Sequence, residues 1–173
     1  DLWLAIAASS GAARRGLYRV NRDGAELMHE FDVAISTMIA TPDRAALLIA
    51  SIDGGEIIRA SLSHGRVASI EPIMRIDPIR GRPSALAFDS DGGLWAALWD
   101  GWAIARLTPE RNELRLLSLP TPRPTGLAFG GEKNDALYVV SDRHSLSPQQ
   151  IIDAPESGGL FVISREQRDR LLR

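Results

Sequence analysis

An all-β fold of repeated units is predicted by three features of the sequence. Apolar bursts recur roughly every 45 residues, at Leu2 (LWLAI), Leu47 (LLIAS), Leu94 (LWAAL) and Leu137 (LYVVS). Each later burst follows a second apolar run across a turn: STMIA at 36–40, SALAF at 84–88 and TGLAF at 125–129, with TPDRA, DSDGG or GGEKNDA between. A third run (GLYRV, EIIRA, AIARL, GLFVI) and a more polar fourth (AELMHEF, RVASIEPI, ELRLLSL) complete the unit. Four short runs rich in Val, Ile, Leu and aromatics, separated by Gly, Asp, Asn and Pro, read as four strands. A period of this length with four strands is the signature of a β-propeller blade.

The elements follow in order. Residues 1–31 supply three strands, 36–73 four, 84–119 four and 125–163 three, about three and a half blades. A propeller closes on itself to protect its end faces. This predicts that further blades come from an upstream region or a second chain. The first strand of each unit, continuous and apolar, is predicted to be innermost and buried on both faces. The polar fourth is predicted to be an outer edge. Residues 1–163 are thus expected to form a partial propeller. The tail 164–173, with Arg165, Arg168, Arg170 and Arg173 among acidic neighbours, reads as a solvated polar end, and SREQRDRLLR is the one stretch with any helical period.

Bulk composition excludes several classes. The chain has 173 residues, 45% hydrophobic and 24% charged, and a net charge of −2. It is long enough for one core and too apolar for a disordered chain. The weak negative charge argues against a nucleic-acid binder. No apolar run reaches a membrane span. Cysteine is absent, so disulfides and thiolate metal sites are excluded, with a lean towards a cytoplasmic setting. DLWLAIAASSGAA lacks a basic leader and is read as a strand, not a signal segment.

The two long copies carry a resemblance. RPSALAFDSDGGLWAALWDGWAIARLTPE and LPTPRPTGLAFGGEKNDALYVVSDRHSLSPQQIIDAPESGGLFVI, with DLWLAIA, GLYRVNRDG and TPDRAALLIAS upstream, resemble the C-terminal part of the regucalcin (senescence marker protein), gluconolactonase and luciferin-regenerating enzyme family. The resemblance implies a six-bladed propeller completed by an N-terminal strand, with the first two and a half blades outside this chain. It implies a divalent-metal-dependent hydrolase of sugar lactones. In such a site a Glu, an Asn and an Asp hold one axial ion, the Asp activates water, and the ion stabilises the oxyanion.

Two ligand positions depart from the family pattern. The Asn opens a strand in a pattern like Asn-Gly-x-Ala-x-Ser-Pro-Asp; here STMIATPD puts Ser36 at the Asn and Thr37 at the Gly. The Asp opens the next in a pattern like Pro-Asp-Gly-x-Ala-x-Asp; here PSALAFD puts Ser84 at the Asp and Ala85 at the Gly. A hard cation wants carboxylate oxygen, and a neutral hydroxyl is a poor general base. No metal ligand is therefore assigned within this chain. A divalent cation (Ca, Zn or Mn) is expected only if an upstream region completes the site.

Strand alternation gathers one end of the sheets into a mouth. Ser36, Ser84 and Thr125 open the first strands there. The loops 7–15, 51–55, 98–102 and 141–150 join them, with Asp53, Trp99, Asp100, Trp102, Asp142, Arg143 and His144. Ser36, Ser84, Thr125, Trp99, Asp100, Arg143 and His144 are the predicted substrate-binding set. Each has a plainer reading: Asp-Gly turns for Asp53 and Asp100, blade packing for the two Trp, a solvated surface His for His144. No spacing requires a Ser/His/Asp triad, and His29, His64 and His144 form no metal cluster. Three functions stay open at this level: a sugar-lactone hydrolase, a non-catalytic propeller that binds or senses a sugar lactone or acid, and a purely structural or interaction propeller.

Overall fold

The computed structural model describes residues 2–6, 15–144 and 146–171. These form fourteen strands in four antiparallel sheets, each a simple meander in chain order. The first sheet holds β1 (Leu2–Ile6), β2 (Gly16–Asn21) and β3 (Gly24–Glu30). The second holds β4 (Ile35–Ala40), β5 (Ala46–Ser51), β6 (Glu56–Ser63) and β7 (Arg66–Arg75). The third holds β8 (Arg82–Phe88), β9 (Leu94–Trp99), β10 (Ala103–Thr108) and β11 (Glu113–Ser118). The fourth holds β12 (Pro124–Gly130), β13 (Ala136–Ser141) and β14 (Leu160–Ile163). Two short helices follow β13 and β14, α1 (Pro148–Asp153) and α2 (Arg165–Leu171).

Successive sheets pack face to face, and the side-chain period of two decides which residues meet. On β5, Leu47 and Ile49 join Leu17, Phe31 and Ile35 between the first and second sheets. Leu48 and Ala50 point the other way and join Leu86, Leu98 and Leu107 between the second and third. Trp95, Ala97, Ile104, Leu137 and Val139 fill the space between the third and fourth. Burying each such Leu, Ile or Val contributes about 1.5–3 kcal/mol. β4 lies beside β8 and β8 beside β12, so the first strands line a common axis. This is the blade arrangement of a β-propeller.

The polar fourth strands β3, β7 and β11 are largely exposed, as the sequence predicts. In the second and third sheets the strand buried on both faces is the second and not the first. All six residues of β5 are buried and five of the six in β9, whereas β4 and β12 are mostly half-buried. The first strand is the edge of its sheet, with a hydrogen-bonded partner on one side only. In the second and third sheets the second strand has strands on both sides and sheets on both faces.

The tail is exposed at 164–167, 169 and 170, and departs from its reading as a solvated end at Arg168. α2 folds back, and Arg168 is buried between the third and fourth sheets, 6% exposed. Trp95 and Phe129 offer that long side chain an apolar slot, which its stem and flat head fill.

Candidate axial site

The mouth is built on a repeated irregularity. In the second, third and fourth sheets the ladder between first and second strands slips once, between Ile35 and Thr37, between Pro83 and Ala85, and between Pro124 and Gly126. The residue left over is Ser36, Ser84 or Thr125. A bulge leaves one residue unpaired and re-aims its side chain. Here it turns each hydroxyl along the strand edge.

The Ser36 hydroxyl donates to the Pro83 carbonyl of the next sheet at 2.6 Å and lies 3.1 Å from the Ala50 carbonyl of its own. Ser84 repeats this with Pro124 at 2.6 Å and Ala97 at 3.3 Å. A hydroxyl has one proton, so the shorter contact in each pair takes it. Thr125 is the third member, 3.4 Å from the Val140 carbonyl of its own sheet. Two of the predicted site residues are therefore staples between neighbouring sheets, each part-buried and committed to a backbone acceptor.

The remaining predicted residues separate into a joined group and loose ones. At the third sheet's turn, Asp100 takes a left-handed backbone (φ 57) and its Oδ1 accepts from Arg123 Nε at 2.7 Å. Arg123 stacks over Trp99, 4.9 Å from the ring centroid, and donates to the His144 carbonyl at 3.1 Å. Its side chain is only 14% exposed. Trp99, Asp100 and the 141–144 loop are thus joined, through a residue outside the predicted set. The signal for Arg123 was present: the tripeptides Arg82-Pro83-Ser84 and Arg123-Pro124-Thr125 repeat at the mouth.

Other residues are held by the backbone. Asp53 Oδ2 accepts from Ala34 N at 3.3 Å, and Asp142 Oδ1 accepts from His144 N at 2.7 Å. These carboxylates hold loop amides, Asp53 that of the residue before β4 and Asp142 that of its own loop. His144 and Arg143 are exposed. Trp102 is 39% exposed on a left-handed backbone (φ 53). The 98–102 turn is set by two glycines: a Cβ on Gly81 (φ 101) would stand 2.7 Å from Gly101 Cα. The proposed 7–15 loop, except Arg15, and Ser145 lie outside the described residues. The 142–158 insertion is anchored by a buried hydrogen bond between the Thr121 and Ser157 hydroxyls at 3.1 Å.

A cavity of about 810 Å³ lies at the end opposite the mouth, between the second and third sheets. Among the described residues no three His, Cys, Asp or Glu side chains converge as a metal site would require.

Residues 1–143 match the SMP-30/gluconolactonase/LRE-like region. The chain belongs to this family. It is 34% identical to 6-deoxy-6-sulfogluconolactonase of Pseudomonas putida over 149 residues, 84% of this chain and 51% of that protein. It is also 34% identical to L-arabinolactonase of Azospirillum brasilense over 150 residues, 85% and 49% of the two. Pig regucalcin (Sus scrofa) is 32% identical over 104 residues, 60% and 35%. The chain spans about half the length of the two lactonases it matches.

Solved family structures share the fold. A calcium-binding regucalcin from Agrobacterium tumefaciens superposes with a TM-score of 0.76 at 22% identity, covering 85% of this chain and 51% of that one. A luciferin-regenerating enzyme gives 0.71 at 21%, covering 88% and 52%. The SMP-30/gluconolactonase resemblance read from the repeated copies is thus the right one. Among the described residues no helix is long and apolar enough to cross a membrane.

Proposed function

We propose that this chain is the part of a lactonase-type propeller that recognises a sugar lactone or sugar acid at the axial mouth without holding the family's metal ion. One observation carries the reading. Ser36 and Ser84, which stand at the two ligand positions, spend their protons on the Pro83 and Pro124 carbonyls. A neutral hydroxyl committed in this way brings no charge to a hard cation and takes no proton from water. These residues do not fit the metal, and no hydrolytic step is derived through it. For recognition the mouth offers the Trp99 ring, the Asp100–Arg123 pair, and exposed Arg143 and His144.

Closure of the ring belongs to the same proposal. Leu2 and Leu4 on the outer face of the first sheet are 64% and 46% exposed. Val140, Leu160 and Val162 on the outer face of the fourth are 45%, 62% and 53% exposed. Facing apolar strands of this kind call for a cover. We assign it to further blades, from an upstream region or a second chain.

The experiment is a thermal melt of the full protein with millimolar Ca²⁺, Mn²⁺ or Zn²⁺, or with gluconate or gluconolactone. A ligand that binds only the folded state raises Tm. The expected result is a rise with the sugar compound and none with metal. The double variant Ser36→Asn/Ser84→Asp should then gain a metal response. A metal-dependent rise in the unaltered protein, together with lactone turnover, overturns the reading. The names of the two lactonase relatives favour that second reading, hydrolysis with the charged ligands supplied from outside this chain.

A further inference from the structure

At the end of the sheets away from the mouth, this chain fills one inter-sheet groove with its own arginines. The Arg168 guanidinium lies 5.5 Å from the Trp95 ring centroid and 5.0 Å from that of Phe129. Its Nη2 donates to the Asp135 carbonyl at 2.7 Å. Arg165, three residues earlier on α2, places Nη2 3.3 Å from Asp91 Oδ2. The groove between the third and fourth sheets thus combines an apolar platform, a carbonyl and a carboxylate, all engaged by guanidinium groups.

The repeat builds the same groove between the second and third sheets. Leu48 pairs with Ile39 and Arg59 as Trp95 pairs with Ala87 and Arg106. Phe88 stands opposite Leu94 as Phe129 stands opposite Leu137. Asp43 lies in the 41–45 turn as Asp91 lies in the 89–93 turn. Among the described residues no α-helix enters this second groove, although the short 3-10 turn Pro109–Arg111 lines part of it. It is a cavity of about 810 Å³ whose lining includes Asp43, Leu48, Arg59 and Phe88. That volume falls within the ordinary range for small-molecule sites, roughly 300–1,000 Å³.

The charges on the wall are unbalanced. Arg106 faces Asp89 at 3.8 Å, and Asp91 is engaged by Arg165. Asp43, Glu71 and Glu110 have no ion-pair partner among the described residues, and of the two arginines that line the cavity, Arg59 and Arg106, the second faces Asp89. The Asp43 carboxylate is oriented, because its Oδ1 accepts from the Thr41 hydroxyl at 2.6 Å and from Ala45 N at 3.0 Å. Oδ2 is left for a ligand.

We propose that this groove binds a guanidinium-bearing small molecule, the planar cation lying on Phe88 with Asp43 as its acceptor. A guanidinium suits the place better than an ammonium, because its flat face stacks and its fork matches a carboxylate. The adjacent groove, occupied by Arg165 and Arg168, is the internal precedent. The site is independent of the axial mouth and of any lactone chemistry.

The test is calorimetric titration of the full protein with agmatine, and with putrescine as the ammonium counterpart. Saturable one-to-one binding of agmatine, stronger than that of putrescine, is expected. Asp43→Asn should weaken it about tenfold, the loss of one charge-assisted contact. Phe88→Leu, which keeps the packing, should weaken it about threefold. Trp95→Phe, in the groove α2 already fills, should leave it unchanged. No saturable binding overturns the proposal, as does binding indifferent to Asp43→Asn. Loss of binding in Trp95→Phe also overturns it, since agmatine would then be displacing Arg168. Should Phe88→Leu fail to fold, the exposed Asp43→Asn change still decides.

Discussion

At the scale of single residues, the hydroxyls of Ser36 and Ser84 matter most. Each links two sheets through a 2.6 Å bond to a carbonyl beside the axis. Ser84→Ala removes the donor and strands the part-buried Pro124 carbonyl, at a cost of about 1–2 kcal/mol. Urea unfolding measures it, and Ser84→Thr, which keeps the hydroxyl, should recover most of the loss. Asp43 carries a pH effect. The Thr41 hydroxyl first, and then the Ala45 amide and the Arg59 charge, hold its carboxyl below the ordinary carboxylate value of 3.8. A lowered folded-state pKa means a contribution present above the unfolded value and lost as pH falls through the folded one. Stability curves measured downward from about pH 5 should be shallower in Asp43→Asn than in the unaltered protein. Equal slopes would remove Asp43 from the account.

At the scale of elements, α2 is the segment whose role changed most between sequence and structure. Its arginines read as solvated, since an alternation of Arg with Glu, Gln and Asp has no apolar stripe. What the sequence could not display is the slot between Trp95 and Phe129, residues of two different sheets. Arg168→Ala should cost about 2 kcal/mol through lost stacking and packing, and should raise amide exchange across 165–171. Arg168 Nε is buried without a hydrogen-bond partner, so Arg168→Met, which keeps the stem and sheds that polar atom, should cost less than Arg168→Ala. An exchange pattern unaltered in Arg168→Ala would mean that α2 docks by other contacts. The strands tell a complementary story. Their number and order were legible from turn residues and apolar runs, but the burial of β5 over β4 was not. Both are apolar, and only position within the sheet separates them.

At the scale of the whole molecule, the outer faces of the first and fourth sheets decide the behaviour. Leu4 and Leu160 stand on these two faces and are exposed here. The double variant Leu4→Lys/Leu160→Lys leaves the cores between sheets untouched. If further blades cover both faces, this variant should lose at least about 2 kcal/mol of stability, or fall to a smaller mass in sedimentation where a second chain does the covering. Unchanged mass and unchanged stability would mean that both faces meet water, and the closure proposal would fail.

The sequence by itself determined the repeat, the strand order and the SMP-30/gluconolactonase membership. Those properties rest on local residue types: turns need Gly, Asp and Pro, and strands need branched and aromatic side chains. Tertiary structure alone decided what the serines do, which arginine joins Trp99 to Asp100, and where the large cavity lies. Each of those depends on atoms some twenty to fifty residues apart, brought together by sheet packing and by a one-residue slip in the ladder. A slip of that kind has no composition of its own, and it turns a side chain from one neighbour to another.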